Sequence, residues 1–239
     1  MEKLDKLYEG KAKILYIIKE KNQLIQYFKD DATAFNNVKK DVILKKGILN
    51  NYISEFLMLE LTKNNIKNHF IKRLNDREQL VKKAQIIPIE VIIRNITAGS
   101  MAKRLGIDEG IKLDQAIFEI CYKDDALGDP LICDCHAINV LKIIKEEELT
   151  KIKETSFKIN NILKDIFDNI GINLVDFKLE FGYDNDGNIM LADEISPDSC
   201  RLWDKASGEK LDKDIFRRDL GDLVTAYEKV AKALKIKLP

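Results

Sequence analysis

The sequence predicts an α+β fold in two lobes: a small antiparallel, β-rich lobe over residues 1–85 and a larger α+β lobe over 86–239, with a cleft between them. Three observations predict it. Short strand-like runs dominate the first third of the chain. A long helix-period stretch and an alternating hairpin dominate the remainder. No repeat, low-complexity tract or long flexible linker separates the two parts. At 239 residues and 45% hydrophobic content, the chain can bury one large or two small cores.

The elements follow in order. Residues 7–18 carry a Gly10-Lys11-Ala12-Lys13 turn between two apolar runs, which predicts a pair of strands, and 23–28 predicts a third. Residues 30–36 read as a loop. From 47 to 61, Ile48, Tyr52, Ile53, Phe56, Leu57 and Leu61 recur near helical spacing. Residues 70–74 and 78–82 read as further short strands, so the first part is a small sheet with one helix. Pro88 marks a hinge, with the lobe boundary near 83–88, followed by the β-branched run Ile89-Glu90-Val91-Ile92-Ile93. A short helix is predicted over 101–105. A long one over 151–170 has Ile152, Ile159, Leu163, Ile166, Phe167 and Ile170 on one face and Gly171 as its stop. A helix over 220–234 closes the chain.

The most informative segment is Leu174-Val175-Asp176-Phe177-Lys178-Leu179-Glu180-Phe181-Gly182. Strict alternation predicts a strand that points Val175, Phe177, Leu179 and Phe181 into a core and Asp176, Lys178 and Glu180 from the opposite face. A turn-forming stretch, Asp184-Asn185-Asp186-Gly187-Asn188, leads to a second alternating run ending in Asp193-Glu194. Pairing the two runs brings Asp193 or Glu194 towards Glu180. Clustered carboxylates beside a lysine suit Mg²⁺ and the phosphates of a nucleotide; an ordinary solvent-facing charge ladder is the plainer reading. The following stretch, 195–204, holds the only Trp beside an Arg and two Asp, and it reads as too irregular for a helix or strand. A loop in that position favours a site.

Composition excludes several functions. Lys+Arg and Asp+Glu both number 40, so no long-range field draws the chain to nucleic acid or an anionic membrane. The start of the sequence lacks an apolar signal region and no stretch is apolar enough to span a bilayer, so a cytoplasmic protein is expected. Cys133-Asp134-Cys135-His136 lacks a second ligand pair at zinc spacing, and the four cysteines are expected as reduced thiols. The two histidines, His69 and His136, lie far apart and outside any nucleophile pattern, so a Ser-His or Cys-His hydrolase has no support.

Two other groupings carry chemistry. The turn Gly10, Lys11, Ala12 and Lys13 offers backbone N–H groups and two ammoniums to a polyphosphate; taken alone a plain hairpin turn is the favoured reading, and the later carboxylate hairpin adds weight to the phosphate one. It lacks the spacing of a Walker A loop. Arg94, Thr97, Gly99 and Ser100 form an anion candidate, with Ser100 opening a helix; simple N-capping is the competing reading. Arg201, Arg217 and Arg218 offer bidentate anion contacts, while a surface charge run is the simpler account of Arg217-Arg218.

With these residues in view, the chain resembles the phosphoribosylaminoimidazole-succinocarboxamide synthase (SAICAR synthetase) family almost end to end. The match is carried by residues 88–100 and 174–182. It extends through Leu7-Tyr8-Glu9-Gly10-Lys11-Ala12-Lys13, Lys46-Gly47-Ile48-Leu49-Asn50-Asn51, Asp193-Glu194-Ile195-Ser196-Pro197-Asp198 and 199–204. The resemblance implies a two-lobe fold of ATP-grasp or kinase-like logic. It implies ATP-dependent joining of the carboxylate of a carboxyaminoimidazole ribonucleotide to the amine of L-aspartate, through an acyl phosphate, in a cytoplasmic homodimer. By the family pattern Gly10, Lys11, Ala12 and Lys13 contact ATP, and Glu180 and Asp193 bind Mg²⁺ and ATP. Arg94, Gly99, Ser100, Arg201 and Asp176 hold the ribonucleotide, and Lys178 and Asp176 act at the reacting centre. Asn36 stands where many relatives carry Asp, so no role is assigned there. Asp129 and His136 are expected to face L-aspartate. A small-molecule kinase and a nucleotide-binding module with a dead site are the competing readings; the second requires loss of a carboxylate or lysine that this chain retains.

Overall fold

The computed structural model describes residues 1–34 and 38–239. The chain opens with β1 (Lys6–Glu9), β2 (Lys13–Ile17) and β3 (Gln23–Phe28), then a ribbon of β4 (Asp31–Ala34) and β5 (Lys39–Val42). Helix α1 (Lys46–Lys63), β6 (Phe70–Arg73) and β7 (Glu78–Lys82) follow. Strands β1-β2-β3-β7-β6 form a five-stranded antiparallel sheet. The remainder supplies β8 (Gln85–Ile96), α2 (Gly99–Leu105), β9 (Lys112–Tyr122), β10 (Leu131–Ile132), a π-helical turn at His136–Val140, and α3 (Glu146–Asp168). It continues with β11 (Ile172–Tyr183), β12 (Ile189–Ala192), β13 (Cys200–Asp204), α4 (Asp214–Arg218) and α5 (Leu223–Ala233). The second sheet runs β10-β9-β8-β11-β12, with β13 also paired to β11, and every pairing in it is antiparallel. The α+β class with antiparallel sheets is the one the sequence predicts.

The large core lies on one face of the second sheet. Ile89, Val91 and Ile93 of β8 and Phe177, Leu179 and Phe181 of β11 are buried there under the α3 stripe Ile152, Ile159, Leu163 and Phe167. Each such side chain contributes roughly 1.5–3 kcal/mol by leaving water. Because side chains alternate along a strand, this burial obliges Asp176, Lys178 and Glu180 to the opposite face. Helix α1, expected with the small sheet, packs Ile53, Leu57, Met58 and Leu61 into this same large core. Its first turn approaches β3 so closely that a Cβ on Gly47 would stand 2.5 Å from the Phe28 carbonyl oxygen. The Gly47 amide donates to Asp30 at 2.9 Å, and Arg77 clamps the same carboxylate.

Several sequence expectations are corrected. Val175 does not share the core of Phe177: the β11–β13 register shifts between Leu174 and Asp176, and Val175 packs with Ile96, Ala98 and Trp203 instead. An extra residue at a bulge turns one side chain to the other side. Pro88 is no hinge but lies inside β8, where the register against β11 shifts between Glu180 and Gly182 and no ladder N–H is called for. Its carbonyl still accepts from the Lys123 amide at 3.0 Å. Cys200–Asp204, expected to be irregular, is a strand that buries Cys200 and Leu202. Asp31–Ala34, expected as loop, is a strand paired to β5, and Asn36 lies outside the described residues. The two sheets meet where the His69 amide donates to the Leu191 carbonyl at 2.9 Å and the Leu191 amide to Lys67 at 3.0 Å.

Candidate active site

Strand β11 organises the site through its register. Asp176 faces Arg94 of β8 on one side and Arg201 of β13 on the other. Glu180 faces Glu90 of β8 and Ala192 of β12, so Asp193 is the first residue past Glu180's partner. The hairpin turn that sets this register is held by Asp184, whose carboxylate accepts from the Asp186 and Asn188 amides at 2.9 and 2.8 Å.

At the Asp176 end the cations are arginines with fixed partners. Arg94, only 2% exposed, donates to Asp176 at 2.8 Å, to Glu119 at 2.6 Å and to the Ser100 hydroxyl at 3.0 Å. Arg201 donates to both Asp176 oxygens at 2.9 and 3.1 Å and to Asp214 at 2.9 Å. Burial disfavours the Arg201 cation, but Asp176 and Asp214 outweigh it and hold its pKa above the ordinary value. Gly99 has φ +54°, and a Cβ there would run into the Arg201 guanidinium that Asp176 and Asp214 hold in place, so glycine suits both the backbone and the close approach. Around them opens a cavity of about 650 Å³ lined by Gly99, Ser100, Arg201, Asp214, Arg217 and Arg218, among others. Arg217 and Arg218 therefore face a pocket, contrary to the surface-run reading. Ser100 is the second residue of α2, whose N-cap is Ala98; its hydroxyl meets Arg94 and caps nothing.

At the Glu180 end the cations are lysines. Lys178 lies 2.6 Å from Glu90 and 3.5 Å from Glu180, and Lys123 lies 2.8 Å from Glu180. Lys13, the first residue of β2, contacts both Asp193 and Glu194. Three ammoniums thus meet four carboxylates. Burial opposes the Glu180 carboxylate, yet Lys178, Lys123 and Lys13 together bring it down to about 2. Burial disfavours the Lys178 cation, and Glu180 and Glu90 outweigh that to raise it. Asp193, at φ +70°, is pushed up to about 7 by burial, and burial likewise draws Lys13 down to about 7, with Glu180 opposing that fall. Gly10 and Ala12 shape the turn: the Gly10 amide donates to the Lys13 carbonyl at 2.9 Å and the Ala12 carbonyl accepts from Lys29 at 2.8 Å. Lys11 pairs with exposed Asp125 at 2.8 Å, a carboxylate whose pKa Lys11 and then Lys123 and Lys178 lower.

This arrangement has relatives. A family model described as SAICAR synthetase matches residues 6–234. A phosphoribosylaminoimidazole-succinocarboxamide synthase of Clostridium botulinum (strain Alaska E43 / Type E3) is 57% identical over 98% of this chain and 99% of its own length. The crystal structure of the same-named enzyme from Ehrlichia chaffeensis superposes with a TM-score of 0.96 at 51% identity, covering 98% of this chain and 100% of that one. A SAICAR synthetase solved in complex with ADP gives 0.93 at 47% identity, over 97% and 98%. The chain belongs to the SAICAR synthetase family. It is an enzyme of purine biosynthesis that forms SAICAR at the expense of ATP. No helix among the described residues is long and apolar enough to cross a membrane.

Other residues noted in the sequence lie as follows. Asp129, at φ +50°, accepts from the Asp124 amide at 3.0 Å, and His136 is exposed at the start of the π-turn. Cys133 and Cys135 are exposed free thiols, Cys121 and Cys200 buried ones. Among the described residues no group of three or more His, Cys, Asp or Glu side chains is arranged to hold a metal alone. Two carboxylates completed by substrate phosphates are the ordinary Mg²⁺ arrangement, and the oxygen donors of Glu180 and Asp193 fit that mode. Sequence reasoning missed Lys123, Glu90, Glu119, Asp214 and His69. Glu90 and Glu119 carried a faint signal, each a lone charge inside an apolar strand run; Lys123 and Asp214 carried none. His69 is buried, its Nε2 has no hydrogen-bond partner, and burial, then Lys13 and Lys82, hold it down to about 3 and therefore neutral.

Proposed function

We propose that the enzyme carries out its ligation along the charged face of β11, with the ribonucleotide at the arginine end and ATP at the lysine end. The supporting observation is the register that sets Asp176 between Arg94 and Arg201 and, four residues on, Glu180 beside Lys178 and Lys123. The working units are a nucleotide-covering part, residues 1–85, and a part carrying the ribonucleotide and metal sites, residues 86–239. The assembly is a homodimer working in the cytoplasm.

In this reading Arg94, Gly99, Ser100 and Arg201 take the ribonucleotide phosphate, and Asp176 orients both arginines while it helps hold that substrate. Gly10, Lys11, Ala12 and Lys13 take the ATP phosphates. Glu180 and Asp193 would hold Mg²⁺, which neutralises phosphate charge when bound. An oxygen of the imidazole carboxylate attacks the γ-phosphorus, the bond to ADP breaks, and an acyl phosphate results. Lys178 stabilises the negative charge on the transferring group. The neutral amine of L-aspartate then attacks the acyl carbon, the C–N bond forms, phosphate departs with the electrons of the C–O bond, and the proton shed by the nitrogen leaves with the phosphate. Phosphorylation is needed because a carboxylate oxygen is a poor leaving group. The test is ADP release with the ribonucleotide, with and without L-aspartate. Sustained release that requires both substrates is expected; release indifferent to L-aspartate, as from a kinase, would overturn the reading.

A further inference from the structure

The cavity at the arginine end is lined by the cations Lys103, Arg201, Arg217 and Arg218 and by the carboxylates Glu109 and Asp214. The two carboxylates are not equivalent. Asp214 keeps 2% of its side chain exposed and is committed to Arg201 and Arg217 at 2.9 and 2.5 Å. Glu109 lines the cavity with 29% of its side chain exposed. Its Oε1 accepts from the Gly99 amide at 2.8 Å, and the two terminal nitrogens of Arg218 donate to its two oxygens, the Oε2 contact at 2.9 Å. Arg218 first, against a burial penalty, and then the Gly99 amide hold this carboxyl below its usual range, so it is an anion at neutral pH.

The segment that carries Glu109 is fastened to Thr97. The Thr97 amide donates to the Ile111 carbonyl at 2.9 Å, and its carbonyl accepts from the Gly110 amide at 2.8 Å. The buried Thr97 side chain donates its hydroxyl to the Asp108 carbonyl at 2.7 Å and accepts from the Ile111 amide at 2.9 Å. Thr97, an anion candidate in the sequence, thus serves as a clamp that fixes the backbone on both sides of Glu109. What remains free to move is the Glu109 side chain, and its partial exposure gives a displaced carboxylate water to turn to. A backbone amide carries a single donor, so Gly99 serves either Glu109 or an incoming anion.

We propose that Glu109 is a specificity-determining residue: its carboxylate occupies the seat of the substrate phosphate, on Gly99 and Arg218, and a ligand enters by displacing it. The inference rests on the ligase reading above, in which Gly99 takes the ribonucleotide phosphate. A seated carboxylate keeps these donors paired before substrate arrives. It also lowers the apparent affinity for every ligand, in proportion to the fraction of molecules in which it is seated. The ligand admitted is therefore one that offers the donors more than a carboxylate does. A phosphate monoester, with three acceptor oxygens and about two charges, meets that demand, and a ribonucleoside without phosphate does not.

The test is steady-state kinetics on the full chain with Glu109→Gln and Glu109→Ala, varying each of the three substrates in turn, with ribose 5-phosphate as an inhibitor competing with the ribonucleotide. The bonds that clamp this segment to Thr97 do not involve the Glu109 side chain, so both variants should fold. Both should lower KM for the ribonucleotide about three- to tenfold and lower the ribose 5-phosphate inhibition constant by a similar factor. KM for ATP and for L-aspartate should stay at the wild-type value. A merely structural residue would do the opposite, since a loosened pocket binds its substrate more weakly. A ribonucleotide KM that is unchanged or raised in both variants would overturn the inference, and a rise would mean that Glu109 accepts from the substrate. Wild-type ADP release that still requires both substrates would then leave the ligase reading intact. Release that ignores L-aspartate would overturn both.

Discussion

The two ends of the β11 charged face use different cations, arginines beside Asp176 and lysines beside Glu180, and in the proposed reading the difference follows from what each holds. At the Asp176 end Arg94 and Arg201 are each held by two carboxylates, and Arg94 also donates to a hydroxyl. Such a pocket is rigid before substrate arrives, which suits a phosphate that stays in place through turnover. At the Glu180 end three flexible lysines face four carboxylates. In the proposed reading those ammonium contacts give way to a divalent cation and phosphates and are then restored. One strand thus carries a preorganised anchor and a rearrangeable centre four residues apart.

The largest expected effect breaks the rearrangeable end. Glu180→Gln should lower turnover by roughly three orders of magnitude, the scale of several kcal/mol of lost charge stabilisation, with an unchanged circular dichroism spectrum. Near-normal turnover would remove Glu180 from the metal and phosphate site. A smaller effect should distort the anchor alone. Gly99→Ala places a Cβ against Arg201 at a positive φ. It should raise KM for the ribonucleotide about tenfold through a displacement worth about 1–3 kcal/mol of strain. An unchanged KM would mean that Arg201 does not touch that substrate.

A third prediction concerns stability between the two sheets. His69 is buried neutral with its pKa drawn down to about 3 from 6.5. Its folded value is depressed, so the unfolded chain binds the additional proton. The stability associated with neutral His69 is complete above pH 6.5 and is lost as pH falls towards about 3. His69→Gln should flatten that acid slope in urea denaturation measured across the window. An identical slope in the variant would assign the acid sensitivity to other groups.

Much of this was legible in the sequence, for physical reasons. The β11–β12 hairpin announced itself because one of its faces is core: burial enforces alternation, and Asp184 and Gly187 shape the turn. Strand β3 and helices α1 and α3 carried the same kind of pattern. What failed depended on partners distant in the chain. β13 looked irregular because Arg201 and Asp204 interrupt its apolar residues, yet it is a strand by virtue of pairing with β11. The bulge that turns Val175 aside is a property of the register between two strands, which neither strand encodes alone. Glu180 and Asp193 were readable as a cluster because one short hairpin joins them. Lys123 was not, since it reaches Glu180 only when β9 pairs with β8 and so lies one strand away from β11.

The most direct test of a divided β11 face is calorimetric titration of the ribonucleotide, and separately of ADP with Mg²⁺, into wild type, Arg94→Ala and Glu180→Gln. The account predicts a double dissociation. Arg94→Ala should lose ribonucleotide affinity by about tenfold or more while keeping Mg²⁺-dependent ADP binding, and Glu180→Gln should do the reverse. Equal loss of both ligands in each variant, or Mg²⁺-dependent ADP binding that survives Glu180→Gln intact, would contradict it.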